Sequence, residues 1–312
     1  MLAGLSCEAL MMTVPTDALT TTLTVEADAV ACALPRRVRI AFIGGGNVAR
    51  SMIGGLLARG TPASTLAVAE PEPNLRAALA SDFRVSAHAS NLAATASAQL
   101  WVLAVKPQVL RAVCHELAPL AQQARPLVVT LAAGIPIAAV RRWLVADSGS
   151  APAIVRAMPN TPALLGAGAT ALCANAQVSP AQRTQVQALF EAVGTAVWVD
   201  DETLMDTVTA TSGSGPAYVF ALMEAMQAAA VAQGLPAATA RALIAQTVLG
   251  AGRMLVESGE DAATLRRRVT SPGGVTEQAL RCFAEDGFDT LLARAIATAT
   301  TRGAELAAQY AD

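Results

Sequence analysis

A strand-like run, Val38-Arg-Ile-Ala-Phe-Ile43, passes directly into Gly44-Gly-Gly-Asn-Val-Ala49 and then into a helix-like stretch over 47–59 that stops at Gly60. A short apolar run of this kind predicts a buried strand. A glycine turn leading from such a strand into a helix predicts the first unit of an α/β sheet. In Gly44-x-Gly46-x-x-Ala49 the first glycine permits the tight turn and the second lets a pyrophosphate approach the main chain. The small Ala49 lets helix and strand pack closely. Amides at the helix N-terminus then face the phosphates. This reading assigns Ile43, Gly44, Gly45, Gly46, Asn47, Val48 and Ala49 to dinucleotide binding.

The same alternation continues. Strands are expected over 66–69, 83–87, 100–105, 127–131, 154–158, 169–173 and 196–199. Helices are expected from Pro71 and Pro73 to about Ser81, from Pro107 towards Leu117, and from Pro136. Strands alternating with helices imply a mainly parallel sheet covered on both faces. The pattern changes after Asp200, where only helices are expected: 216–233, 237–257, 262–269, 276–284 and 288–309. The fold class is therefore α/β, with a nucleotide-binding domain over 37–199 and a helical domain over 200–312. Residues 1–36 read as a disordered extension or as a start placed too early, with Met11 and Met12 as later starts. Their first 35 positions hold no Lys or Arg, unlike a secretory leader.

Composition excludes several classes. The chain is 54% hydrophobic but carries a formal charge of only −2, so neither nucleic acid nor an anionic membrane surface is an expected partner. A mean hydropathy of +0.45 raises the membrane question, but the uncharged stretches are broken by Gly, Pro and Asn. The five cysteines are scattered and never spaced as a C-x-x-C pair, which fits a reducing cytoplasm and argues against a zinc site. With His88 and His115 the only histidines, no metal site is expected, and both read as surface or packing residues.

Lys106 is the only lysine among 22 basic residues. Where arginine serves everywhere else, a retained lysine suggests a role that arginine's shape and hydration do not fill. Glu70, at the end of the second strand, sits where an acid can accept both ribose hydroxyls and repel a 2′-phosphate. The alternative is an exposed acid at a helix N-terminus; the first reading leans towards NADH or dual use.

A dehydrogenase acting on a hydroxyl group needs a base for the proton, usually His or Lys. The helical domain has neither. An imine that arrives already protonated removes that need, because its carbon accepts hydride directly and catalysis becomes positioning. Thr270-Ser-Pro-Gly-Gly-Val-Thr276 offers what such a site requires. Pro-Gly-Gly at a helix start exposes successive amides to an anion, and Ser271 and Thr276 add hydroxyls. The same residues also suit an ordinary turn with Thr276 as N-cap.

Five further segments settle the direction. Ala104-Val-Lys-Pro-Gln108, Ala132-Ala-Gly134, Met158-Pro-Asn-Thr-Pro162, Ser212-Gly-Ser-Gly-Pro-Ala-Tyr218 and Val269-Thr-Ser-Pro-Gly-Gly-Val-Thr276 follow the glycine loop in this order. Together they resemble the pyrroline-5-carboxylate reductase family over about residues 38–306. The resemblance implies a Rossmann-type doubly wound sheet followed by an all-helical dimerisation domain. It also implies active sites at the interface of a homodimer, dimers that often join into a larger ring, and NADPH or NADH as cofactor. Hydride would pass to 1-pyrroline-5-carboxylate, giving L-proline. Ala69, Pro71 and Asn91 would lie near the adenosine ribose, beside Glu70, and Ala104, Lys106 and Pro107 near the nicotinamide, with Val105, Ala133 and Gly134 also in the cofactor site. Gly273, Gly274, Val275 and Thr276 would hold the substrate, with Thr276, Lys106 and Ser271 the candidate catalytic residues.

The sequence departs from the family pattern at Val275, where many members carry Thr, and at Arg266, Arg267 and Arg268, where acids or amides are frequent. An arginine there would favour a phosphate-bearing cofactor; otherwise the trio is a solvated face. Two other enzyme classes compete: an imine reductase for another ring size, and a relative of the 3-hydroxyacid dehydrogenases. The latter use a lysine that the helical domain lacks. A nucleotide sensor without turnover is the non-enzymatic alternative.

Overall fold

The computed structural model describes residues 38–145 and 152–310. The expected N-terminal extension lies outside the described residues. The first part alternates as expected: β1 (Ile40–Ile43), α1 (Asn47–Ala58), β2 (Leu66–Ala69), α2 (Pro73–Phe83), β3 (Ser86–His88), α3 (Asn91–Thr95), β4 (Leu100–Leu103), α4 (Pro107–Ala124), β5 (Leu127–Thr130) and α5 (Ile137–Leu144). It continues with β6 (Ala153–Met158), β7 (Gly168–Ala174), α6 (Pro180–Glu191) and β8 (Gly194–Trp198).

The strands form one sheet in the order β3-β2-β1-β4-β5-β6-β7-β8. β1 pairs in parallel with both β2 and β4, so Ile43 lies opposite Ala69 on one side and Leu103 on the other. The winding reverses between β1 and β4. In open α/β sheets ligands bind at such a reversal, beyond the carboxyl ends of the strands. Only β6 and β7 run antiparallel.

Period-two alternation sends neighbouring residues of each strand into different layers. Ile40 and Phe42 join Met52, Ile53, Leu56, Leu79 and Phe190 on one face. Ala41 and Ile43 join Trp101, Leu110, Leu117, Trp143 and Leu144 on the other. Each fully buried large side chain contributes about 1.5–3 kcal/mol. Two filled layers therefore fix the sheet, and with it the loops at its carboxyl edge.

Four local details differ from the sequence expectation. α2 starts at Pro73, with Glu72 as N-cap, and runs to Phe83 before Arg84 closes it at φ 55. Its last turn therefore takes residues expected in the strand over 83–87. α4 continues to Ala124 through Pro119. That proline is exposed, as is His115 four residues before it, so the carbonyl left without its amide partner faces water. The short α3 and the longer α6 have no counterpart among the expected helices. α6 opens on a capping box, in which the Gln182 amide donates to Ser179 Oγ (3.3 Å) and the Ser179 amide to Gln182 Oε1 (2.9 Å).

Beyond β8 the described residues hold helices and turns only: α7 (Met205–Val208), a π-turn (Thr209–Gly213), α8 (Gly215–Ala232), α9 (Ala237–Glu257), α10 (Ala262–Arg268), α11 (Val275–Glu285) and α12 (Phe288–Gln309). α8 buries no residue, and α9 buries only Ala240 and Ile244. Phe220, Leu243, Leu249, Val256 and Leu291 stand exposed. An apolar area of this extent marks an interaction surface. α12 returns to pack on α7 and the π-turn.

Candidate active site

The carboxyl ends of β1, β2 and β4 bring three of the expected cofactor segments together. The Gly44 amide donates to Ala69 O (2.9 Å) and the Ala104 amide to Ile43 O (2.8 Å). Gly44 has φ +97, which an L side chain rarely adopts. Gly46 differs: its φ is −68, and a β-carbon there would meet nothing within 4 Å. It caps α1, whose first turn carries no acid and no side-chain cap. The first intrahelical bond is from the Arg50 amide to Gly46 O (3.0 Å), leaving the amides of Asn47, Val48 and Ala49 without an intrahelical acceptor. Open space, free donors and the positive end of a helix fit a pyrophosphate.

Around this cradle the remaining expected cofactor residues divide. Ala69 is buried, Pro71 exposed and Lys106 exposed at the N-cap of α4, with Pro107 in its first turn. Asn91 opens α3 and donates from Nδ2 to Glu116 Oε2 on α4 (2.7 Å). Ala133 is exposed, while Gly134 is buried at φ +75 within 3.6 Å of Leu306 Cβ, measured from an added β-carbon. Gly134 thus packs against α12. Glu70 directly follows β2, as the sequence places it. It is turned inward at 8% exposure, and each carboxylate oxygen accepts one main-chain amide.

The expected substrate turn joins α10 to α11. Gly273 has φ +70 and its amide donates to Glu277 Oε2 (2.8 Å), while the Gly274 amide donates to Ser271 O (3.0 Å). The N-cap is Gly274, not Thr276, which falls in the first turn of α11. The reason is geometric: the Pro-Gly-Gly turn closes early enough for Gln278 to bond back to Gly274 O (3.3 Å). The amides of Val275, Thr276 and Glu277 are then free of intrahelical acceptors. Val275 is 89% exposed and Ser271 is exposed too. Arg266, Arg267 and Arg268 form the solvated face, with Arg268 paired to Glu260 and Arg267 bonded to Thr264 Oγ1 (2.7 Å).

Among the described residues no hydrogen bond links 270–276 to the sheet, and α11 packs on α12. No group of three His, Cys, Asp or Glu residues among the described residues could hold a metal, and none of their helices is long and apolar enough to cross a membrane. His115 is exposed and His88 half-buried, as expected.

Two junctions had no place in the sequence reading. Asn160 donates from Nδ2 to Ser212 O (3.0 Å) and accepts the Ala169 amide at Oδ1 (2.9 Å), tying one family segment to another. Arg156, buried on β6, pairs with Glu202 and Asp206, each at 3.2 Å. Glu202 also accepts the Ile137 amide (2.7 Å). A charge inside the apolar run Ile154-Val-Arg-Ala-Met158 was its one signal.

Comparison with known proteins agrees with this layout. Residues 202–306 match the family model described as pyrroline-5-carboxylate reductase dimerisation, and residues 39–134 that of NADP oxidoreductase, coenzyme F420-dependent. A pyrroline-5-carboxylate reductase of Pseudomonas aeruginosa is 51% identical over 271 residues, covering 87% of this chain and 97% of the relative. That of Escherichia coli is 39% identical over 251 residues, covering 80% and 91%. The solved structure of the Coxiella burnetii enzyme superposes with TM-score 0.83 at 40% identity, covering 86% of this chain and 98% of its own. The chain belongs to the pyrroline-5-carboxylate reductase family.

Proposed function

We propose that 43–49 hold the pyrophosphate of NADPH or NADH, that 104–107 border its nicotinamide, and that 273–276 grip the imino acid. The activity itself follows from family membership: the chain is an oxidoreductase that reduces 1-pyrroline-5-carboxylate to L-proline with a nicotinamide cofactor. When bound, the reduced nicotinamide supplies the hydride that reaches the C=N carbon.

The chain's own contribution is chiefly geometric. The amides of Val275 and Thr276 donate to the substrate carboxylate at the positive end of α11. The Thr276 hydroxyl hydrogen-bonds the ring nitrogen. The helical domain has no His or Lys, so no imidazole or amine there competes for the iminium proton. Holding a charged, planar imine against its hydride donor accounts for rate through orientation rather than through a base. The single observation that carries this reading is the α11 start: an uncapped glycine, free amides and a threonine hydroxyl in one turn. Lys106, exposed beside the nicotinamide segment, orients that end of the cofactor, and Ser271 borders the carboxylate.

Because 270–276 make no hydrogen bond to the sheet of their own chain, the two halves of the site meet in a homodimer built on α8, α9 and α12. The domain division near residue 200 and a cytoplasmic location belong to the same reading, the latter from the scattered spacing of the cysteines. Cofactor oxidation measured with five- and six-membered cyclic imino acids tests the substrate assignment. At least tenfold higher kcat/KM is expected for the five-membered ring, and preference for the six-membered ring would overturn it.

A further inference from the structure

We propose that Glu70 is a positioning residue that sets the dinucleotide loop and has no part in choosing between NADH and NADPH; this rests on the reading that 43–49 hold the pyrophosphate. An acid at the end of the second strand of such a sheet ordinarily faces the adenosine ribose. Here the carboxylate is engaged by the main chain of its own corner. Its Oε2 accepts the Gly45 amide and its Oε1 the Glu72 amide, each at 3.0 Å. The residue is 8% exposed. Arg76 fixes the corner from outside, donating from one guanidinium nitrogen to Glu70 O (2.8 Å) and Pro71 O (3.0 Å).

The loop has little freedom on this seat. A β-carbon on Gly45 would stand 2.4 Å from Leu79 Cδ1 and 3.1 Å from Glu70 Oε2. Gly45 is therefore pressed between a core leucine and a carboxylate that holds its amide. Charge-assisted bonds to main-chain amides are the stronger kind, and burial shields them from water. With Gly45 N–H directed at Glu70, the donors left for phosphate are those from Gly46 onward. The neighbouring acid does not replace Glu70: Glu72 accepts the amides of Asn74 and Leu75 at the start of α2, and these bonds hold its carboxyl below the usual range. Glu70 thus acts on both cofactors through the phosphates they share.

Affinity for NADH and NADPH, steady-state kinetics and thermal midpoint are compared for the wild-type enzyme, Glu70→Ala, Glu70→Gln and Gly46→Ala. Glu70→Ala should raise KM and Kd for both cofactors by about tenfold, with their ratio and the saturated kcat each within about twofold. Glu70→Gln keeps one acceptor oxygen and should fall between. It carries the test should the alanine variant not fold. A shift of tenfold or more towards NADPH in either variant would make Glu70 a ribose contact and overturn the proposal. So would a lower thermal midpoint with both affinities unchanged. Gly46→Ala separates the two levels, because its methyl enters space used only by ligand. Unchanged cofactor affinity there would sink the loop reading itself. Weakened affinity there with selective loss at Glu70 would sink only the positioning role.

Discussion

Gly44 and Ala104 touch across the switch point of the sheet: a β-carbon on Gly44 would lie 2.8 Å from the carbonyl oxygen of Ala104. The glycine loop after β1 and the segment 104–107 after β4 are therefore one packed unit. Gly44→Ala faces both this contact and a backbone at φ +97, and should cost about 1–3 kcal/mol of stability in urea unfolding. Gly46→Ala, with open space around it, should unfold within about 0.5 kcal/mol of the parent. Equal losses in the two variants would contradict the geometry.

Arg156 links the sheet to the helices through Glu202 and Asp206. Its side chain is 5% exposed, while the two acids keep 30% and 18%. Breaking a fully buried pair costs about 3–5 kcal/mol. Solvent around the acids reduces that, so Arg156→Met should lose about 2 kcal/mol in denaturant unfolding. A neutral effect would mean that the junction is not a stabilising link.

Phe220 is 61% exposed on a helix that buries nothing within its own chain. Phe220→Asp should move the protein towards monomer in analytical ultracentrifugation and cut specific activity by at least about tenfold, with helical content kept. A monomeric variant with full activity would show that each chain completes its own site.

Cys114 lies on the buried face of α4, and burial pushes its thiol from an ordinary 9.0 up to about 12. Cys173 is pushed in the same direction, again chiefly by burial. The unfolded chain therefore loses these protons first. Stability from the neutral thiols is complete below about pH 9 and declines as pH climbs towards 12. Urea midpoints should fall between pH 8.5 and 10.5, and fall less in Cys114→Ala, relative to its own value at the lower pH. An identical decline in both proteins would show that other groups govern the alkaline limb.

How much of this is written locally can be argued residue by residue. Gly44, Pro107 and Pro272-Gly-Gly274 mark their own backbone, so the loop, the start of α4 and the turn before α11 are legible without tertiary knowledge. Ser179-Pro-Ala-Gln182 marks α6 equally well, but the helix behind it is too polar for apolar periodicity to show it. Glu70 is different. Its position suggests a ribose contact, while its bonds to the Gly45 and Glu72 amides appear only in the folded corner. Asn160 with Ser212, and Arg156 with Glu202, join residues 52 and 46 apart in sequence, so chain folding alone makes them partners. The separation of the substrate turn from the sheet has a similar cause, since a second copy lies beyond any single chain's local code.

Thr276 bears the heaviest load in the proposed chemistry, because its hydroxyl meets the ring nitrogen while neighbouring amides hold the carboxylate. Single-turnover reduction of 1-pyrroline-5-carboxylate by Thr276→Ala, measured beside its cofactor affinity, addresses that role directly. Turnover should fall by at least about tenfold with cofactor Kd within about twofold of the parent. Equal losses in both, or an unchanged rate, would contradict the account.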